Sequence, residues 1–149
     1  MSPESQQSAR TRVAGYSGTA LPRKLGIKEG HRLAILHAPS DFETALGELP
    51  PLAEIHRSLR GQLPFDVILL FVDRAADLER KFPSTAARLA ENGGLWVAWP
   101  KKTSGVATDL DGSAVRAAGG RHGLVDNKVC AIDEIWSGHR FVKRVVDRH

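Results

Sequence analysis

Lys101, Lys102, Thr103, Ser104 and Gly105 place two cations, two hydroxyls and a flexible backbone amide at consecutive positions. Such a run can hold a phosphate or a carboxylate, with lysine supplying charge and the hydroxyls and amide supplying donors. It follows Leu95–Trp99, an apolar stretch of strand length that stops at Pro100. Loops at the carboxyl ends of strands are where open α/β sheets bind ligands. The same residues also suit a solvated basic loop that holds nothing.

Other side chains could complete such a site. Trp99 and Trp136 could stack on a planar ligand as pocket walls; the plainer role is packing over a sheet edge and a hairpin turn. His37 ends an apolar run, where a site residue would point, although strand-end histidines commonly just satisfy a hydrogen bond. Tyr16-Ser17-Gly18-Thr19 reads either as a lid over the sheet or as the cap of a short helix. Asp126-Asn127-Lys128 could make polar contacts, or could serve turn chemistry alone. The C-terminal cations Arg140, Lys143, Arg144 and Arg148, with Phe141 opposite, could meet a nucleic acid or form the solvated face of an edge strand.

Several chemistries lack their residues. The six histidines show neither H-x-x-x-H nor HExxH spacing, so no metal site is expected. No serine sits in a G-x-S-x-G elbow, and no phosphate-binding G-x-x-x-x-G-K-[ST] loop occurs. Cys130 is the single cysteine; it excludes an intrachain disulfide and suits a reducing cytoplasm. No catalytic residue can be assigned.

The elements that must position these groups are legible in outline. Thr19–Leu25 forms a short helix stopped by Gly26, and Arg32–His37 a strand. Ser40 and Glu43 make a capping box for a helix to Leu49, stopped by Pro50-Pro51. Glu54–Arg60 alternates as an edge strand, and Phe65–Val72 is apolar as a strand covered on both faces must be. A helical region runs from Asp73 to Glu91, broken at Pro83 and closed by Asn92-Gly93-Gly94. Leu95–Trp99 is the next strand, and Thr108-Asp109 caps a helix ending near Gly119-Gly120. Asn127–Asp133 and His139–Val146 then pair as a hairpin about a Trp136-Ser137-Gly138 turn.

At 149 residues, 42% hydrophobic and 26% charged, the chain has the composition of a soluble globular domain. Residues 1–14 read as a disordered tail and 15–149 as one domain. No apolar run is long enough for a membrane span, and the N-terminus has no secretory signal. The net charge of +4 permits an anionic partner without identifying one.

The run FDVILLFV, a helix, then ENGGLWVAWPK resembles the fourth and fifth strands of class I methyltransferases, and the closing hairpin matches that fold. The chain also resembles a small bacterial family of domains of unknown function. Members of that family carry YSGT, KLGIK-x-G, GGLWVAWPKK-x-SGVATDL, GLVDNKVCA and W-S-G, found here from Tyr16 to Gly138. The resemblance implies a three-layer, Rossmann-like, methyltransferase-like α/β fold. Its mostly parallel sheet would have about six strands, one strand and its helix missing, and a C-terminal antiparallel hairpin.

Two methyltransferase features are absent from the sequence. In the stretch His37-Ala38-Pro39-Ser40-Asp41-Phe42 there is no glycine-rich loop, and Leu59-Arg60-Gly61 offers no acidic residue to a ribose. The expectation is therefore of no cofactor, S-adenosylmethionine included. The function expected is binding of a small anionic ligand by Lys101, Lys102, Thr103, Ser104, Trp99, Trp136, His37 and Tyr16 at the carboxyl ends of the strands. A divergent methyltransferase-like enzyme, a nucleic-acid-binding module and a protein-interaction domain remain as alternatives.

Overall fold

The computed structural model describes residues 20–148; the N-terminal tail and the Tyr16–Thr19 run lie outside the described residues. The elements in chain order are α1 (Leu21–Lys24), β1 (Arg32–Leu36), α2 (Phe42–Leu46), β2 (Glu54–His56), β3 (Phe65–Phe71) and α3 (Ala75–Ala86). They continue as β4 (Leu89–Pro100), a 3-10 turn (Lys102–Ser104), α4 (Gly112–Arg121), β5 (Leu124–Ala131) and β6 (Trp136–Lys143). The strands form one six-stranded sheet in the order β2-β1-β3-β4-β6-β5. Strands β2, β1, β3 and β4 are mutually parallel, and β6 joins antiparallel to both β4 and β5.

This arrangement follows from which residues need cover. Val67 to Phe71 and Leu95 to Ala98 are almost fully buried, so both faces of the middle strands must be covered. On one face α3 and α4 supply Leu78, Phe82, Val115 and Ala118. On the other, the α1 and α2 regions supply Leu25, Ile27, Phe42 and Leu46. Gly119 lets α4 approach the sheet closely, because a Cβ there would collide with the Phe141 ring. No helix among the described residues is long and apolar enough to cross a membrane.

Several boundaries differ from the sequence reading. Pro83 does not break the helical region: α3 runs through it. Pro83 lies on the exposed side of the last turn, while Phe82 and Thr85 hold that turn to the core, and their burial outweighs the missing N–H. The region then stops short of Glu91, because β4 already begins at Leu89. Asn92 and Gly93 form an irregularity inside β4, where the partner register jumps from Phe65–Leu89 to Val67–Gly94. A Cβ on Gly93 would approach the Asp66 carbonyl to 2.7 Å, so glycine is needed for contact rather than for a turn.

The edge strand β2 is shorter than Glu54–Arg60, ending at His56. The hairpin turns at residues 132–135, with Trp136-Ser137-Gly138 inside β6. Asp133 Oδ1 accepts from the Ile135 and Trp136 amides at 2.8 Å, which makes the aspartate the organiser of the turn. The cap of α4 is Asp111, whose carboxylate accepts from the Ala114 amide at 2.8 Å.

Candidate functional site at the carboxyl ends of the strands

Strand β1 ends at Leu36, and His37 follows with φ 62°, in the left-handed region. A non-glycine residue held there costs of order 1 kcal/mol, and such residues cluster at ligand sites. Beside it, at the ends of β1 and β2, lies a cavity of about 300 Å³. Leu36, Leu59 and Leu70 form its apolar wall, and His37, Arg57, Ser58, Lys81 and Ser84 contribute polar groups.

The charges around this cavity are arranged unequally. Arg57 meets Glu43 of α2 through two guanidinium nitrogens, and this bond holds the Glu43 carboxyl below its usual range. Lys81 has no carboxylate in ion-pair contact among the described residues. Burial, and then the Lys81 charge, lower the His37 pKa against the opposing pull of Asp77. His37 is therefore neutral at pH 7 and can donate from one ring nitrogen while accepting at the other.

Two remote groups shape the loops at this end. Arg88 donates to the carbonyls of Leu59, Arg60 and Leu63, and its guanidinium lies over the Phe65 ring at 5.1 Å, a ring it shares with the Arg32 guanidinium at 4.8 Å. This fixes the segment between β2 and β3, which lines the cavity with Ser58 and Leu59. Thr108 donates to the Asp73 carbonyl at 2.7 Å, and Asp109 accepts from the Ala75 amide at 2.8 Å. Asp109 thus supplies from the loop after β4 an acceptor that Arg74, the residue before α3, does not provide.

Of the residues nominated from sequence, His37 alone lines the cavity, and Tyr16 lies outside the described residues. Lys101 is half-buried, while Lys102 and Thr103 are exposed in the 3-10 turn after β4. The Ser104 hydroxyl closes that turn by donating to the Lys101 carbonyl and accepting from the Val106 amide. Trp99 and Trp136 lie on opposite faces of the sheet. Trp99 is buried with the α3–α4 layer, whereas Trp136 packs edge-on against Phe71 at 5.1 Å on the α1–α2 side. They do not form two walls of one pocket. Arg57, Lys81 and Glu43 went unnominated because nothing local marks them; α2, α3 and the end of β2 meet only in the folded chain.

Near the start of α4 is a buried polar pair. Trp99 and His139 are 9% and 4% exposed, and Trp99 Nε1 and His139 Nδ1 have no hydrogen-bond partner among the described residues. Burial lowers the His139 pKa; Asp126 partly opposes this and Arg116 adds to it. The unfolded chain takes up this proton near pH 6.5 and the folded chain only at lower pH, so stability falls as pH drops below about 6.5. The fall levels off below the folded pKa, and each unit of depression is worth about 1.4 kcal/mol. His139→Gln should reduce this slope between pH 7 and 5.5 in urea titrations, leaving the share of His37, whose pKa is also lowered, ahead of the more acidic range where Glu43, Asp77 and Glu79 protonate. An unchanged slope would assign it elsewhere.

No family model matches the chain, and no curated protein matches it. Solved structures do. A SAM-dependent methyltransferase from Aquifex aeolicus is 14% identical over 80% of this chain and 85% of its own, with a TM-score of 0.53. The PH0226 protein from Pyrococcus horikoshii is 8% identical over 83% of this chain and 86% of its own, at 0.57. Magnesium protoporphyrin IX methyltransferase from Synechocystis, with bound SAM, is 8% identical over 83% of this chain and 74% of its own, at 0.54. The fold is therefore methyltransferase-like.

These neighbours overturn the expectation against S-adenosylmethionine, since proteins of this fold hold SAM or SAH. That expectation rested on a missing glycine loop and a missing acidic residue. His37 nevertheless takes up the left-handed turn at the end of β1 without glycine. The Glu43 carboxylate reaches the end of β2 from α2, so an acidic group is present there although β2 does not end in one.

Proposed function

We propose that this methyltransferase-like chain binds a small anionic molecule over the carboxyl ends of β1 and β2. The carrying observation is the cavity of about 300 Å³ with Lys81, Arg57 and His37 in its wall. Lys81 supplies a positive charge with no carboxylate in ion-pair contact among the described residues, His37 a neutral donor and acceptor, and the three leucines a dry wall. Lys101, Lys102, Thr103 and Ser104 stand two strands along the sheet from β1, where they would meet the far end of an extended ligand.

A second reading, a divergent methyltransferase, is favoured by the fold likeness together with the His37 turn. The backbone around His37 would then receive S-adenosylmethionine, and Glu43 would accept from its ribose hydroxyls. The bound group would supply an electrophilic methyl. Kinship with the small bacterial family of the YSGT and GGLWVAWPKK motifs is compatible with either reading.

Thermal unfolding of the full chain with S-adenosylmethionine, S-adenosylhomocysteine, nucleotides and sugar phosphates separates them. A ligand at about a hundredfold its Kd stabilises by ~2.7 kcal/mol. Stabilisation by the two adenosyl compounds that Glu43→Gln abolishes supports the enzyme reading. Stabilisation by other anions that Lys81→Ala abolishes supports the binding reading. If Lys81→Ala and His37→Ala both leave every shift intact, the cavity is not the site.

A further inference from the structure

A larger cavity, of about 580 Å³, opens at the other end of the sheet, beside the amino-terminal ends of β1, β3 and β4. Its wall carries Arg23, Lys24, Lys28, Lys128 and Arg140 against two carboxylates, Asp66 and Glu91. Both carboxylates are already engaged: Asp66 accepts from the Arg32 amide at 2.8 Å, and Glu91 pairs with Lys143 at 3.2 Å. With five cations against these two carboxylates, the cavity presents net positive charge.

Arg140 is its most specific feature. The residue is half-buried on β6, and among the described residues its guanidinium has one hydrogen-bond partner, the Asn127 side-chain oxygen at 3.4 Å, and no carboxylate in ion-pair contact. It lies against Gly94 of β4, where any Cβ would collide with it. Glycine at that position makes the seat for the guanidinium. Withdrawing an arginine from water without a carboxylate is costly, and an incoming anion would offset that cost. Arg116 and Arg121, by contrast, are exposed and already paired with Asp126 and Glu79.

We propose that this cavity binds the phosphate of a small phosphorylated molecule, with the Arg140 guanidinium as its principal contact and Arg23, Lys28 and Lys128 around it. The planar fork of arginine suits a phosphate better than a point charge does. The cations ring a concavity rather than following a line over the surface, which favours a compact anion over an extended nucleic-acid backbone. The inference does not rest on the cavity at the carboxyl ends, because the two share no lining residue.

The test is calorimetric titration of the full chain with pyrophosphate at fixed ionic strength. Arg140→Gln should weaken binding about tenfold or more, as expected for a charge-assisted pair. Gly94→Ala should act in the same direction by displacing the guanidinium. Because both lie in the sheet, an exposed pair of changes, Arg23→Ala with Lys128→Ala, keeps the test independent of folding and should also weaken binding. Arg121→Ala, at an exposed arginine that lines neither cavity and is paired with Glu79, should leave binding unchanged. The proposal is overturned if pyrophosphate gives no saturable heat, if the Arg23→Ala/Lys128→Ala chain and folded Arg140→Gln bind as tightly as wild type, or if Lys81→Ala alone abolishes binding. Tighter binding of a short single-stranded RNA, with a steep salt dependence, would overturn it in favour of a nucleic-acid surface.

Discussion

Trp96→Ala should lower the stability of the chain by about 3–5 kcal/mol, the largest loss expected from any single side chain here. Trp96 is 0% exposed in β4, a central strand. Its ring packs with Leu25, Ile35, Phe71 and Ile132, so removing it opens a void between the sheet and the α1–α2 layer. It also bonds across layers, donating from Nε1 to the Leu25 carbonyl at 3.0 Å. Trp96→Phe separates the two contributions. It keeps most of the volume but strands a buried carbonyl, for a loss of about 1–3 kcal/mol. Guanidinium unfolding followed by circular dichroism measures both variants. A loss under ~1 kcal/mol for Trp96→Ala would mean that the layer is not held through this residue.

Arg88→Ala should cost about 2–3 kcal/mol and free the segment from Arg57 to Pro64. One guanidinium satisfies the carbonyls of Leu59, Arg60 and Leu63, in a connection with no regular structure of its own. Losing it exposes those carbonyls and releases the Phe65 ring from one of its two cationic neighbours. Lysine should not rescue, because a single ammonium cannot span three carbonyls as a rigid fork does. Amide exchange across residues 57–64 should accelerate in both Arg88→Ala and Arg88→Lys. Full protection in the lysine variant would show that charge alone, rather than the fork, holds the segment.

What could be read from sequence depended on how locally each feature is encoded. The run from Phe65 to Val72 announces a strand covered on both faces, and the alternation of strands and helices announces the parallel order. Register is not encoded so locally. Pro100 pairs with Trp136 and Trp99 with Ser137, and that offset of one residue sends the two indoles to opposite faces. Asn92-Gly93-Gly94 reads as a turn because glycine serves turns and close contacts alike; only the nearness of Asp66 and Arg140 distinguishes them. His37 was legible because a strand end is a local event. Lys81 was not, since it lies on a helix that reaches the cavity only after folding.

The hairpin also covers a strand edge that other copies of the chain could otherwise pair with. Without β6, the outer side of β4 from Leu95 to Pro100 would present unpaired amides and carbonyls beside apolar side chains, a template for adding strands from other molecules. With the hairpin docked, the sheet ends instead at β5, an irregular strand. Its register shifts at Asn127, between Asp126 and Lys128, so a flat continuous ladder is not offered there. At the opposite margin β2 is three residues long, too short to recruit much. The terminal hairpin thus guards against aggregation as well as completing the core, and truncations that remove it would be poorly tolerated even where the remaining strands could still pack.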